Sequence, residues 1–396
     1  MPALFPIDEA AFLAARRGAL LELAGGRGLG GIAVFGHGSA LGTGTKSHGA
    51  LRFLSGWDGH ESAALLLILP AGSHLLVASP FMVPLARDLR PDLVVHDVRP
   101  DAWAAALGAL VPAGAPLGCV GFDEMPARIF RDLGALAGGP ALDADVARLR
   151  LVKDAAQQHL HRAAAALCDE LFAALGAELC ARLPAWQIQL NLEMRARRAG
   201  ADYCRTWLTI RPEADYCRYW REEAQAVPQA GDQVLLGVAL TVDGHWGHGI
   251  RMGSMGPQRV AHAELAGHVD AMLEAGLAAL RPGLPLAGVE AAMEAERARR
   301  GLAAGDPRIR RFRNGHGLGC SYEDPLLTDA FRQHFDPTAA PVAAPDLTLS
   351  PGMLFELHPN LFVAGLGGAA LGEMVLLAQH GPEVLLRFPR SCVQWN

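Results

Sequence analysis

The sequence predicts an α+β protein of two domains, a smaller α/β domain over residues 1–145 and a larger α+β domain over residues 146–396. Three observations lead there. A length of 396 residues exceeds what one hydrophobic core usually organises. The first third alternates helical periodicity with short apolar runs, and the remainder places strand-like segments around a pair of helical ones.

In the first domain, residues 8–23 carry a helical pattern, and the apolar runs 31–35, 64–69 and 74–78 read as strands. Residues 145–183 are amphipathic, rich in helix formers and without proline until the end, which predicts one long hinge helix into the second domain. Beyond it, segments 232–242, 245–252, 353–358 and 373–377 read as strands, and 258–280 and 286–301 as helices. Residues 337–351, with four prolines, read as a surface loop.

Composition narrows the class of partner. With 51% hydrophobic and 6% aromatic residues the chain is globular, and a net charge of -6 without a basic run argues against nucleic acid or an anionic membrane. A small-molecule substrate fits better. The apolar run 63–70 is too short to span a bilayer and the N-terminus has no basic-then-apolar leader, so the expectation is a cytoplasmic protein. Seven scattered cysteines with no Cys-x-x-Cys pair predict reduced, mostly buried thiols.

Several motifs occur in a telling order: Leu149-Arg150-Leu151-Val152-Lys153-Asp154, Gly231-Asp232 before a strand, Asp243-Gly244 at a hairpin, Gly315-His316-Gly317-Leu318-Gly319, Pro351-Gly352-Met353-Leu354-Phe355, and a final strand and turn over 375–381. Together they resemble the creatinase and methionine aminopeptidase family, including its proline aminopeptidase branch, over nearly the whole chain; Phe53-Leu54-Ser55-Gly56-Trp57 adds a likeness to the creatinase-type N-terminal domain. The resemblance implies a pita-bread second domain. It also implies a homodimer in which the first domain of one chain borders the other's cavity, so that Trp57, Asp58, His60 or Glu61 reach across.

Metal-dependent members of that family hold two ions with two Asp, one His and two Glu. Carried over position by position, these fall on Gly237, His248, His316, His358 and Gly372. Four of the five depart from the pattern. A carboxylate-bridged pair of ions needs anionic oxygens, whereas neutral imidazoles suit a single transition ion. By the resemblance, the three histidines occupy one of the two ion positions, and the glycines stand where the second ion or the bridge was held.

Strand geometry adds detail. A two-residue hairpin centred on Asp243-Gly244 pairs His248 with Ala239 and puts His248, Trp246 and Gly237 on one face, with His245 on the other. Glu356, two residues before His358, projects from the same strand face. Glu373 has the wrong parity to replace Gly372. The glycines read as space for a substrate, Cys320 as a buried thiol rather than a nucleophile, and Tyr322 as either a proton donor or an ordinary pocket tyrosine.

The expected function is thus a non-peptidase enzyme acting on a small polar nitrogen-containing molecule through one divalent transition metal, Fe or Zn, on His248, His316 and His358. Glu356, Tyr322 and His316 are the candidate catalytic groups, and Trp246, Gly237, Gly372, Tyr219, Trp57 and His60 the candidate substrate contacts. Two alternatives stay open. A metal-free C–N hydrolase would use Glu356 and His358 as an acid-base pair, although 207–221 lacks the histidine base that creatinase-like chemistry uses, with only Tyr216 and Tyr219 nearby. A catalytically inactive binding protein is the other.

Overall fold

A computed structural model describes residues 8–211, 225–302, 306–322, 347–363 and 366–396. Tyr216, Tyr219 and most of the proline-rich segment 337–351 lie outside the described residues. Among those described, the chain divides into two compact units, 8–156 with 319–322, and 157–318 with 347–396.

The first unit is built on a mixed sheet of Gly31–Gly36 (β1), Ala64–Leu69 (β2), Gly72–Val77 (β3), Val94–Asp97 (β4) and Leu117–Val120 (β5), in the order β4-β3-β2-β1-β5. Strand alternation sends Ile32, Val34, Leu66 and Ile68 into one core and Ala33, Phe35, Leu65 and Leu67 into another, so helices cover both faces. Trp57, 1% exposed, belongs to the first core, as does Cys320. The ring expected to reach toward a substrate is thus a packing element. His60 is exposed and sits at φ 52 beside Asp58, whose carboxylate accepts its backbone N–H.

The single hinge helix expected over 145–183 is instead two, Asp143–Leu151 and Ala155–Cys180. Val152 turns extended (ψ 116), the buried Lys153 ammonium donates to the Arg150 carbonyl, and Asp154 pairs with Arg16 at 2.7 Å. A buried ammonium must find an acceptor, and the nearest is a helical carbonyl that the break leaves accessible. Periodicity alone does not register this.

The second unit starts from an antiparallel meander of Tyr203–Arg211 (β6), Gln233–Val242 (β7) and His245–Met255 (β8). Asp243 (φ 46) and Gly244 (φ 74) both take left-handed backbone, the I′ turn that matches strand twist, and this fixes the register Ala239↔His248. Ile309–Arg310 (β9), Gly315–Gly317 (β10), Leu354–Leu357 (β11), Asn360–Val363 (β12), Gly367–Ala370 (β13), Glu373–Ala378 (β14), Gly381–Val384 (β15) and Val393–Trp395 (β16) complete three sheets, β16-β8-β7-β6, β10-β11-β14-β15 and β13-β12-β9.

Among the described residues an isolated bridge ties β8 to the residue just before β14, with Ile250 and Gly372 exchanging hydrogen bonds at 3.3 and 3.1 Å. Arg251 locks it from the opposite face. Its Nη1 donates to Gly372 O at 2.7 Å, and its Nη2 to Glu373 Oε1 at 2.9 Å. Glu373 therefore points away from the histidines, as its parity requires.

On the helix Ala287–Arg299, Glu290 and Glu294 each accept from Asn314 Nδ2 at 2.9 Å. Burial first, then the Glu294 charge, pushes the Glu290 carboxyl up to about 7. The folded chain then keeps a proton that the unfolded chain loses in the ordinary carboxylate range, so stability falls as pH rises from that range through about 7. Glu290→Gln is expected to flatten that decline, measured as Tm between pH 5 and 8.

Candidate metal centre

Four side chains from three strands converge in the second unit. β8 supplies His248, β10 His316, and the β11 edge Glu356 and His358, with His316↔Glu356 and Glu356↔Met374 as direct cross-strand pairs. Ring centroids lie 5.5 Å apart for His248 and His316, 5.2 Å for His316 and His358, and 6.0 Å for His248 and His358. Glu356, fully buried, is the hub. Its Oε2 touches His248 Nδ1 and lies 3.1 Å from His316 Nε2 and 3.8 Å from His358 Nε2.

The proton positions follow from neighbours. His316 Nδ1 lies 2.9 Å from Gly317 O, which can only accept, so Nδ1 carries the hydrogen and Nε2 turns a lone pair toward Glu356. Burial holds His248 and His316 well below the usual imidazole range and His358 down to about 3; the Arg313 cation lowers all three further. The His316 lone pair and a Glu356 carboxylate oxygen thus face one another inside a dry site, with His248 Nδ1 and His358 Nε2 beside them. A shared cation resolves that repulsion, and the mixed imidazole and carboxylate set suits a transition ion. Ligand atoms of His248, His316 and Glu356 all lie within 4.8 Å of one another, so the group that could hold an ion joins two of the three histidines to the carboxylate, and His358, expected as the third ligand, is not in it.

The two glycines do not leave open space. A Cβ on Gly372 would meet Glu356 Oε1 at 2.5 Å and Ile250 N at 2.6 Å, and one on Gly237 would meet the Trp207 ring at 3.3 Å. Glu356 fills the first gap and Trp207 covers the second. A dinuclear carboxylate site does not fit these residues. Trp207 packs near His248 (6.1 Å) and Phe312 near His358 (5.3 Å), while Met374 Sδ accepts the His248 N–H.

Sequence reasoning missed Trp207, Phe312, Met374 and Arg313. One signal was available for Trp207, which pairs directly with Gly237. Trp246 shares the His248 strand face but meets Tyr203 edge to ring at 5.5 Å. His245 is buried, its Nδ1 2.9 Å from Asp243 O. Tyr322 is half-buried and groups with the first unit, where Cys320 also lies.

The model of metallopeptidase family M24 matches residues 159–379. The chain is 26% identical over 292 residues to a probable dipeptidase PepE of Mycobacterium bovis, covering 72% of each chain. It is 34% identical over 114 residues to an agropine synthesis cyclase of Rhizobium rhizogenes, covering 29% of this chain and 24% of the other. A prolidase structure from Pyrococcus horikoshii superposes with a TM-score of 0.76 at 14% identity, covering 96% of this chain and all of that one. The architecture is the α+β pita-bread fold with its creatinase-type N-terminal domain. No helix among the described residues is long and apolar enough to cross a membrane. Matched by the family model over more than half its length, the chain belongs to metallopeptidase family M24.

Proposed function

We propose that this chain is a mononuclear metal enzyme acting on a small polar nitrogen-containing molecule, and not a dinuclear dipeptidase. The observation that carries the reading is the Glu356 hub, with a carboxylate in the gap at Gly372, the His316 lone pair turned toward it and His248 Nδ1 in contact with it. His248, His316 and Glu356 would hold the ion, Fe or Zn, with His358 beside them. When bound, such an ion polarises a substrate oxygen and lowers the pKa of coordinated water.

The chain's own residues do the rest. His358 Nδ1 is buried and makes no hydrogen bond with the described residues, which leaves it able to exchange a proton with a bound molecule. Trp207 and Phe312 wall the site with apolar surface and keep bulk water from the polar cluster. A narrow, dry, imidazole-rich site favours a compact substrate. Relatives named as a dipeptidase and as a synthesis cyclase indicate that related chains are not confined to one reaction.

Metal analysis of protein purified without a chelating step tests the reading, with one equivalent of transition metal per chain as the expected result. Turnover on a panel of dipeptides and N-substituted amino acids should vanish after exhaustive chelation and return with Zn or Fe(II). Activity indifferent to both treatments would sink the metal assignment in favour of Glu356 and His358 as an acid-base pair.

A further inference from the structure

His358 stands where the chain changes sheets. Residues 354–357 pair as β11 with β10 and β14, and from Asn360 onward the chain pairs as β12 with β9 and β13. Pro359, between the two, has no N–H to give either sheet. The β9–β12 register, Val363↔Ile309 and Phe362↔Arg310, continues to Phe312 opposite Asn360 and Asn314 opposite His358. At His358 the backbone keeps that pairing, its N–H donating to Asn314 O at 2.7 Å. At Asn360 the side chain keeps it instead.

The Asn360 amide, fully buried, takes the place of a peptide group. Its Oδ1 accepts the Phe312 N–H at 2.9 Å, and its Nδ2 faces the carbonyls of Phe312 at 3.1 Å, Arg313 at 3.2 Å and His358 at 3.0 Å. Nδ2 carries two hydrogens, so three acceptors share them. The backbone N–H and C=O of His358 are thereby both held. The Phe312 ring, fixed by the same amide, packs near the His358 ring at 5.3 Å and near Phe362 at 5.9 Å.

The clamped histidine sits back from its neighbours. His248 Nδ1 touches Glu356 Oε2 and His316 Nε2 lies 3.1 Å from it, whereas His358 Nε2 stays at 3.8 Å and outside the group of ligand atoms that could share an ion. Closing that gap would require the His358 backbone or ring to move, and the Asn360 amide restrains both. We propose that Asn360 is a positioning residue that keeps His358 out of the donor set and leaves its ring to exchange a proton with the substrate. The inference rests on the metal reading of His248, His316 and Glu356, and separates the ligand histidines from the working one.

Absorption spectra of the Co(II)-loaded full-length protein test it, because they respond to the number and kind of donors around the ion. The unaltered chain should take up one equivalent. His358→Ala should keep that equivalent and its spectrum while turnover falls ~100-fold. Asn360→Ala frees His358 to join the donors, so the spectrum should change and Co(II) should be held at least as tightly, while kcat falls ~10-fold at nearly unchanged KM. Combining the two substitutions should return the spectrum to that of the unaltered chain, which a merely structural loss would not do. Phe312→Leu, which withdraws the ring and leaves the amide in place, should give the same spectral change in smaller degree and serves if Asn360→Ala fails to fold. A spectrum altered by His358→Ala overturns the proposal and makes His358 a third ligand. So does an Asn360→Ala spectrum identical to that of the unaltered chain, or one that the double variant fails to restore. No uptake of Co(II) by the unaltered chain removes the metal reading itself, and the proposal with it.

Discussion

Replacing His316 by Ala is expected to cut transition-metal affinity by at least ~100-fold and to abolish turnover, because it removes a buried ligand fixed by its own Nδ1–H bond to Gly317. The same change withdraws one of the imidazoles packed against the fully buried Glu356 carboxylate. If the ion is lost with it, the buried carboxylate is left uncompensated at a cost on the order of 3–5 kcal/mol, so the variant should also lose stability relative to the metal-loaded protein. Glu356→Gln separates the two effects. It removes the charge and with it the anionic donor, so metal should be lost while thermal stability holds or rises. From sequence, Glu356 reads as a nearby acid-base group whose replacement mainly slows the chemistry; under the proposed reading its Oε2, placed among three imidazoles, acts as a donor instead. Elemental analysis and thermal melts of both variants decide the matter. Full metal content in Glu356→Gln would return the carboxylate to a supporting role.

Restoring glutamate at position 372 is expected to destroy the centre rather than recreate a two-ion site. The new Cβ would collide with Glu356 Oε1 at 2.5 Å and with the backbone nitrogen of Ile250 at 2.6 Å. The first clash turns the hub carboxylate away from the histidines. The second breaks the bridge that Arg251 secures, and overpacking against backbone costs ~1–3 kcal/mol or more. Gly372→Glu should therefore bind less than one equivalent of metal and melt at a lower temperature. Pairing it with Gly237→Asp should not rescue it, since the Trp207 ring covers that position. Two equivalents of metal in the double variant would contradict this account.

The pH decline assigned to Glu290 is read from stability alone, although Asn314, which donates to Glu290, also accepts the His358 N–H.

Local rules made much of the architecture readable. The Asp243-Gly244 turn demands left-handed backbone at two residues, which fixed the β7–β8 register and put His248 opposite Ala239. Period-two alternation placed Glu356 and His358 together and turned Glu373 away. Strands β12 and β13 were not legible, since Gly367 and Gly368 supply no alternating pattern. The hinge helix failed for another reason, because its break answers to Lys153 and Asp154, whose partners no periodicity reveals.

By itself the sequence placed Glu356 with His358 on one strand face and His248 opposite Ala239, because strand parity and turn geometry act over a few residues; that His316 joins them was implied by the family resemblance. What fills the places of two glycines was decided only by the tertiary structure. Trp207 arrives over Gly237 from a neighbouring strand, and Glu356 reaches into the gap at Gly372 from β11. Steric occupancy depends on side chains brought together from distant segments, so a glycine that reads as open space in a sequence becomes filled space once the sheets close.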